Sequence, residues 1–262
     1  MTTMTTLAAL SAACAALAAC GGSEGSPPPP APAPPAPQTY NYVPPTVGET
    51  DVWTRILTDS MGTQVTLQIR QRITSANDAG AMVFTFDDPT GVDVVEDGVT
   101  FRTTPEVEDV AANGGALDYT LTQTDGTQVT CVYGKADPNG TIAEAGRAQA
   151  MGLRHADSLQ IGQSWTSAYT IACGSQAPVT FHVSASVVGI EGVIVAAGTF
   201  QALKEIVSTT YVSNGFTNRN DVTLWRDPAR SLFPVMLEQD MVRGDTSKPW
   251  ISHETRQLLS RQ

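Results

Sequence analysis

The sequence predicts an all-β, antiparallel fold: one or two curled sheets, arranged as a sandwich or a half-barrel. Three observations predict it. Short stretches such as Val65-Thr66-Leu67-Gln68-Ile69 and Val179-Thr180-Phe181-His182-Val183 place apolar side chains at every second position, the period of a strand with one buried face. Between such stretches stand Asn77-Asp78, Asp97-Gly98, Asp125-Gly126 and Asn214-Gly215, residue types that tolerate the positive φ of tight hairpin turns. Finally, 22 glycines and 17 prolines in 262 residues punctuate the chain too often for a helical bundle.

Taken in order, the pattern places strands at about 52–59, 63–73, 81–86 and 98–104, and a hairpin at 117–134. Strands follow at about 165–172, 178–190, 197–213, 217–226, 232–243 and 250–259. One short helix is expected at Ile142–Met151, after Pro138-Asn139-Gly140. An internal echo points to two duplicated halves, roughly 38–140 and 141–262. Gly48, Trp53-Thr54 and then Val65 to Ile69 parallel Gly162, Trp165-Thr166 and then Val179 to Val183. Each tryptophan is expected to open a strand and to bury its ring in the core of its half.

Residues 1–37 are of another kind. Leu7 to Ala19 is an unbroken run of small or apolar residues. As a helix it rises about 20 Å, short of the roughly 30 Å of a bilayer's hydrocarbon core, which suits the apolar region of a signal peptide. The tetrad Leu17-Ala18-Ala19-Cys20, followed by Gly21-Gly22, resembles the lipobox of bacterial lipoprotein precursors. In that family the cysteine is acylated on sulfur, the chain is cut before it, and the new amine is acylated too. The resemblance implies a signal peptide over 1–19, fatty acyl chains such as palmitate on Cys20, and a membrane as partner through that anchor. Gly21, where inner-membrane retention uses Asp, implies the outer membrane, with the domain in the periplasm or at the cell surface. Residues 1–6 lack the Lys or Arg of the usual leader, and a plain secretory signal cut at Ala16-Leu17-Ala18 is the alternative.

After Cys20, residues 21–37 are Gly/Ser and then Pro/Ala. The stretch Pro27–Pro37 suits polyproline II and spans about 34 Å, so 20–37 reads as a tether and 38–262 as the β-rich domain. Charge divides unevenly along that domain. Residues 38–140 carry fifteen acidic and five basic side chains, and 141–262 carry ten of each. With a net charge of −11, a protein that neutralises nucleic-acid phosphates is excluded. The acids concentrate at Asp87, Asp88, Asp93, Glu96, Asp97, Glu106, Glu108 and Asp109. Their spacing does not match a calcium loop, and a solvated face is the better reading.

A second resemblance lies toward the C-terminus. Ala197-Gly198-Thr199-Phe200, then Leu224-Trp225 and Pro228, then Pro234-Val235 and Glu238 resemble an AGTF…W..P…PV pattern of bacterial envelope proteins with domains of unknown function. Leu159-x-Ile161-Gly162-x-x-Trp165 resembles their strand entry. The residues themselves read as structural: Gly198 permits a tight turn, Phe200 enters the core, Trp225 packs from a neighbouring strand, and Pro234 starts the next. The resemblance implies a β-rich envelope domain without catalysis.

Chemistry-bearing residues are sparse. Cys131 and Cys173 form an even pair in an exported protein and are expected as a disulfide joining the two halves. His155, His182 and His253 are far apart and lack zinc-ligand spacing, so no metal and no other cofactor is expected. His182 occupies an outward position of its strand. No nucleophile elbow, P-loop or dinucleotide fingerprint occurs. The functional expectation is a membrane-anchored periplasmic lipoprotein, not an enzyme, with a binding, scaffolding or envelope-assembly role toward other envelope proteins. A carrier or sensor of an apolar ligand, such as an acyl chain in a β cavity, is the alternative; an uncharacterised hydrolase is a third.

Overall fold

Alternation along the chain becomes strand wherever the sequence is described. The structure is a computed structural model, and it describes residues 38–43, 45–76, 82–96, 99–102, 106–110, 116–122, 127–135, 158–230 and 233–262. The first half supplies β1 (Thr39–Asn41), β2 (Thr50–Asp59), β3 (Gln64–Ala76), β4 (Met82–Asp87), β5 (Asp93–Glu96), β6 (Val99–Arg102), β7 (Glu106–Val110), β8 (Ala116–Thr122) and β9 (Gln128–Lys135). The second supplies β10 (Ser158–Gln160), β11 (Ser164–Cys173), β12 (Val179–Val195), β13 (Gly198–Ser213), β14 (Phe216–Arg226), β15 (Pro234–Val242) and β16 (Ile251–Arg261). The predicted helix at Ile142–Met151 and the turns at 77–78, 97–98 and 125–126 lie outside the described residues.

The fold is all-β and antiparallel. Its main sheet curls until its edges meet, in the hydrogen-bonded order β11-β12-β13-β14-β15-β16-β2-β3-β4-β7-β8-β9 and back to β11. Two small sheets stand apart, β1 with β10 and β5 with β6. Among the described strands, each half of the chain gives six consecutive members to the ring. Trp53 and Trp165 lie in β2 and β11, the first ring strand of each half; Trp53 is buried and Trp165 half-buried.

Side chains fill the inside of the ring. Tyr133, Tyr169, Val183, Val207, Leu224 and Leu237 form one cluster, extended by a row of rings from Tyr119 through Tyr133, Tyr169 and Phe181 to Tyr211, with centroids 4.6–6.0 Å apart. Leu57, Leu67, Ile69, Val94 and Ile251 form another. Each of these clusters runs along consecutive strands of the ring, β9 and β11 to β15 in the first and β16, β2 and β3 in the second, whereas Val193 and Val195 of β12 reach Leu258 of β16 and Trp53 of β2.

Turn chemistry fixes the hairpins. Asn214 and Gly215 have φ of 52° and 82°, the pair of positive values that a type I′ turn requires. Strand β12 runs five residues beyond its predicted end at 190 because Gly189 and Gly192 do not break it; the register instead shifts between Val187 and Gly189, a bulge that bends the long β12–β13 hairpin. The hairpin's tip reaches β16, where the Ala197 amide donates to the Leu258 carbonyl at 3.2 Å. The loop from Asp227 to Phe233 extends to the β2–β4 side. Arg230 pairs there with Glu49 at 2.7 Å, and the Phe233 ring meets Phe84 edge-on at 5.7 Å. Finally, β1 and β10 bring Tyr40 and Leu159 onto Val187 and Leu203.

Candidate functional site

The cysteine pair lies where the ring closes. Cys131 in β9 is the register partner of Cys173 in β11, and the two form a disulfide. It therefore links the last ring strand of the first half to the first ring strand of the second. The motif residues of the C-terminal half converge as well. Gly198, at φ 139°, turns β12 into β13. Phe200, from the start of β13, and Trp225 pack in one cluster with Trp53, Val193, Val195, Ala202, Val235 and Leu258. Pro234 is the first residue of β15, where a missing amide donor is tolerated. Leu17, Ala18, Ala19, Cys20 and His155 lie outside the described residues.

His182 is exposed on the outer face of the sheet, as its alternation predicts. It borders two open hollows, of about 750 Å³ and 440 Å³, that share His182 and Thr210. The larger lies between the β11–β12 and β13–β14 turns and is lined by Gln176, Thr180, Asn214 and Thr217 among others; the smaller adds Thr166, Ser184 and Ser208. Neither lining contains Asp, Glu, Lys or Arg. Such a surface can hydrogen-bond a neutral polar group. His253 has an acidic partner, with Nδ1 2.7 Å from Asp240 Oδ1. Among the described residues, neither histidine is hydrogen-bonded to a Ser, Thr or Cys that it could activate.

The carboxylates of the acidic stretch serve local structure where they are described. Asp87 pairs with Arg70 at 3.2 Å. Asp88 accepts from the Thr90 amide at 2.9 Å and the Val92 amide at 3.1 Å, closing the loop before β5. Among the described residues no group of three or more His, Cys, Asp or Glu is placed to hold a metal ion.

The polar feature missed from sequence is inside the ring. Glu205 and Arg226 form a fully buried pair, Arg226 Nε donating to Glu205 Oε2 at 2.5 Å. Glu254 is buried beneath two guanidiniums. Arg55 donates to both of its oxygens at 2.8 Å, and Arg256 donates at 2.9 Å. Burial alone would raise the Glu254 pKa, but the charges of Arg55 and Arg256 outweigh it and hold the group at about 2. Nearby, Arg261 grips both oxygens of Asp51 at 3.0 and 3.1 Å and reaches Asp227 at 2.9 Å. Arginines pair with each of these acids and tie strands together, while Glu205 Oε1 is buried without a hydrogen-bond partner among the described residues. Their one sequence signal is a charge at a core position of an alternating strand, as Glu205 between Leu203 and Val207.

No family model matches the chain, and no curated protein matches its sequence. Solved structures give remote likenesses. A Bacteroides fragilis protein described as exported, with a YmcC-like fold, aligns at TM-score 0.46 and 13% identity over 85% of this chain and 99% of its own. A Parabacteroides distasonis protein described as a lipoprotein aligns at 0.42 and 12% over 85% and 99%. The hypothetical lipoprotein YmcC of Escherichia coli aligns at 0.38 and 12% over 79% and 86%. Likenesses this distant carry no information on ligand or activity.

Proposed function

We propose that the chain is a bacterial envelope lipoprotein, held by acyl chains on Cys20, whose β domain has a binding or scaffolding role without catalysis. The observation that carries this reading is the Cys131–Cys173 disulfide at the ring's seam, in a chain whose leader ends in a lipobox. Structural disulfides persist in oxidising compartments outside the cytoplasm, and several acyl chains give a stable membrane anchor. The non-catalytic part rests on where the titratable groups go. Glu205, Glu254, Asp51 and Asp227 are taken up by Arg226, Arg55, Arg256 and Arg261, and the exposed His182 groove offers hydrogen bonding without a charged partner. Outer-membrane delivery follows the lipobox resemblance and Gly21.

The test is Cys20→Ser with palmitate labelling and fractionation. The wild type should label and sediment with outer membranes, and the variant should do neither. A variant that still labels and fractionates with membranes overturns the anchor. Solvent extraction of the purified full chain, read by mass spectrometry, tests the role: non-covalent lipid at one mole per mole would replace scaffolding by carriage of an apolar ligand.

A further inference from the structure

Strand β12 contains Val187-Val188-Gly189-Ile190-Glu191-Gly192-Val193-Ile194-Val195, a nearly continuous apolar stretch of the kind found in strands covered on both faces. The structure covers one. Val193 and Val195 are buried against Trp53, Trp225, Val235 and Leu258, and the Ala197 bond to Leu258 holds the hairpin down on that side. On the other face Ile194 is 81% exposed, Val188 53% and Ile190 40%. Register sets Ile190 opposite Leu203, Gly192 opposite Gln201 and Ile194 opposite Thr199. This face is therefore uncharged, its aliphatic side chains interleaved with Thr199 and Gln201, and it is exposed beyond Leu203.

A second observation says what lies nearby. Tyr40 of β1 packs on Val187 and Leu203, and Leu203 is the register partner of Ile190. The described chain begins at Gln38, next to β1, so the chain enters the domain beside this patch. Of the acidic segment, β4 stands five places and β7 four places from β12 in the closed twelve-strand order.

We propose that Val188, Ile190 and Ile194 rest in the interface of the membrane to which the tether leads, so that the domain sits on the bilayer with this hairpin face down. The proposal rests on the lipoprotein reading for the presence of that membrane. Tethering places the patch at a high effective concentration over the lipid, so three aliphatic side chains suffice.

The experiment uses the chain from residue 20 onward, with an N-terminal oligohistidine tag in place of the acylated cysteine. It is bound to phosphatidylethanolamine/phosphatidylglycerol vesicles that contain a nickel-chelating lipid. Cys131 and Cys173 remain disulfide-bonded, so a polarity-sensitive fluorophore goes only on an introduced thiol: Ile194→Cys, or Met61→Cys in the β2–β3 turn as control. On vesicles, the probe at 194 should shift to the blue and be quenched by brominated lipid several-fold more than the probe at 61. Adding Val188→Ser and Ile190→Ser should lower the protected fraction at 194 by about tenfold for each aliphatic side chain removed from the interface.

Equal quenching at 194 and 61 overturns the proposal. So does a probe at 194 already shielded in a vesicle-free monomer, which would mean that the tether covers the patch. A vesicle-free dimer by light scattering that Ile194→Ser dissolves overturns it too, in favour of a second copy. Acylation of Cys20 is read separately, from the mass of the natural chain. Its absence removes the lipoprotein reading, and the chelator-bound vesicles still decide the patch.

Discussion

Breaking the seam disulfide gives a quantitative test of the ring. Cys131 and Cys173 close an interval of 42 residues. In the chain-entropy treatment, a cross-link over that interval stabilises by about 4 kcal/mol through the unfolded chain. The seam it accompanies is short, five register pairs from Tyr169–Lys135 to Cys173–Cys131, so little else compensates. For a domain of this size each kcal/mol moves the midpoint by about 2–4 °C, and Cys131→Ala with Cys173→Ala should lower Tm by about 8–16 °C. The assay is thermal unfolding by circular dichroism, with urea unfolding for the free energy. Both single variants and the double variant are measured, because either substitution removes the same bond. Each single change should therefore cost nearly as much as the pair. Single costs that add up to the double cost, or a total below about 1 kcal/mol, would refute the reasoning.

Three further outcomes follow from the core. Glu254→Gln leaves Arg55 and Arg256 facing a neutral amide and should destabilise by about 3 kcal/mol at pH 7. Since the native Glu254 pKa is depressed to about 2, its contribution is complete above the unfolded carboxylate range. It is lost as pH falls from about 4.5 toward 2, so urea midpoints of wild type and variant should converge over that window. Gly244→Ala would put a methyl group 2.7 Å from the Thr217 carbonyl oxygen and 3.0 Å from Phe216 Cβ. Backbone cannot swing aside as a side chain can, and a loss of about 1–3 kcal/mol is expected by urea titration. Phe233→Ala empties the seat against Phe84 and should cost about 3–5 kcal/mol, again by urea titration; a loss under 1 kcal/mol would mean that the loop does not hold that side of the ring.

Much of the fold was legible because alternation and turn chemistry are local. Val65 to Ile69 and Val179 to Val183 read as strands and are strands, and Asn214-Gly215 reads as a tight turn and is one. Local signals fail where the partner is distant. Strands β1 and β10 are three residues each and pair Thr39 with Gln160; three residues show no period, and nothing in either segment names the other. The predicted end of β12 at 190 fell short of Val195 because Gly192 looks like a breaker, whereas it pairs in register with Gln201. The disulfide was legible, since the two cysteines left after the expected leader and lipobox offer one pairing. Buried Glu205, Glu254 and Arg226 were not, because alternation ranks charged residues as outward and their partners come from other strands.

Those buried pairs also explain how a single ring is specified. Inside each half, turns set the register: Asp59 accepts from the Met61 and Thr63 amides at 2.8 Å between β2 and β3, and Asn214-Gly215 does the equivalent between β13 and β14. The two junctions between the halves have no such turn. At β9–β11 the chain uses the disulfide. At β16–β2 it uses charge, with Arg55 on Glu254 and Arg261 on Asp51 joining residues about 200 positions apart. A one-residue slip of β16 along β2 would turn Glu254 to the opposite face and leave Arg55 buried against no carboxylate. Ion pairs add little net stability once desolvation is counted, yet removing one partner costs several kcal/mol. That asymmetry penalises the wrong register far more than it rewards the right one, which is what a junction without a turn requires.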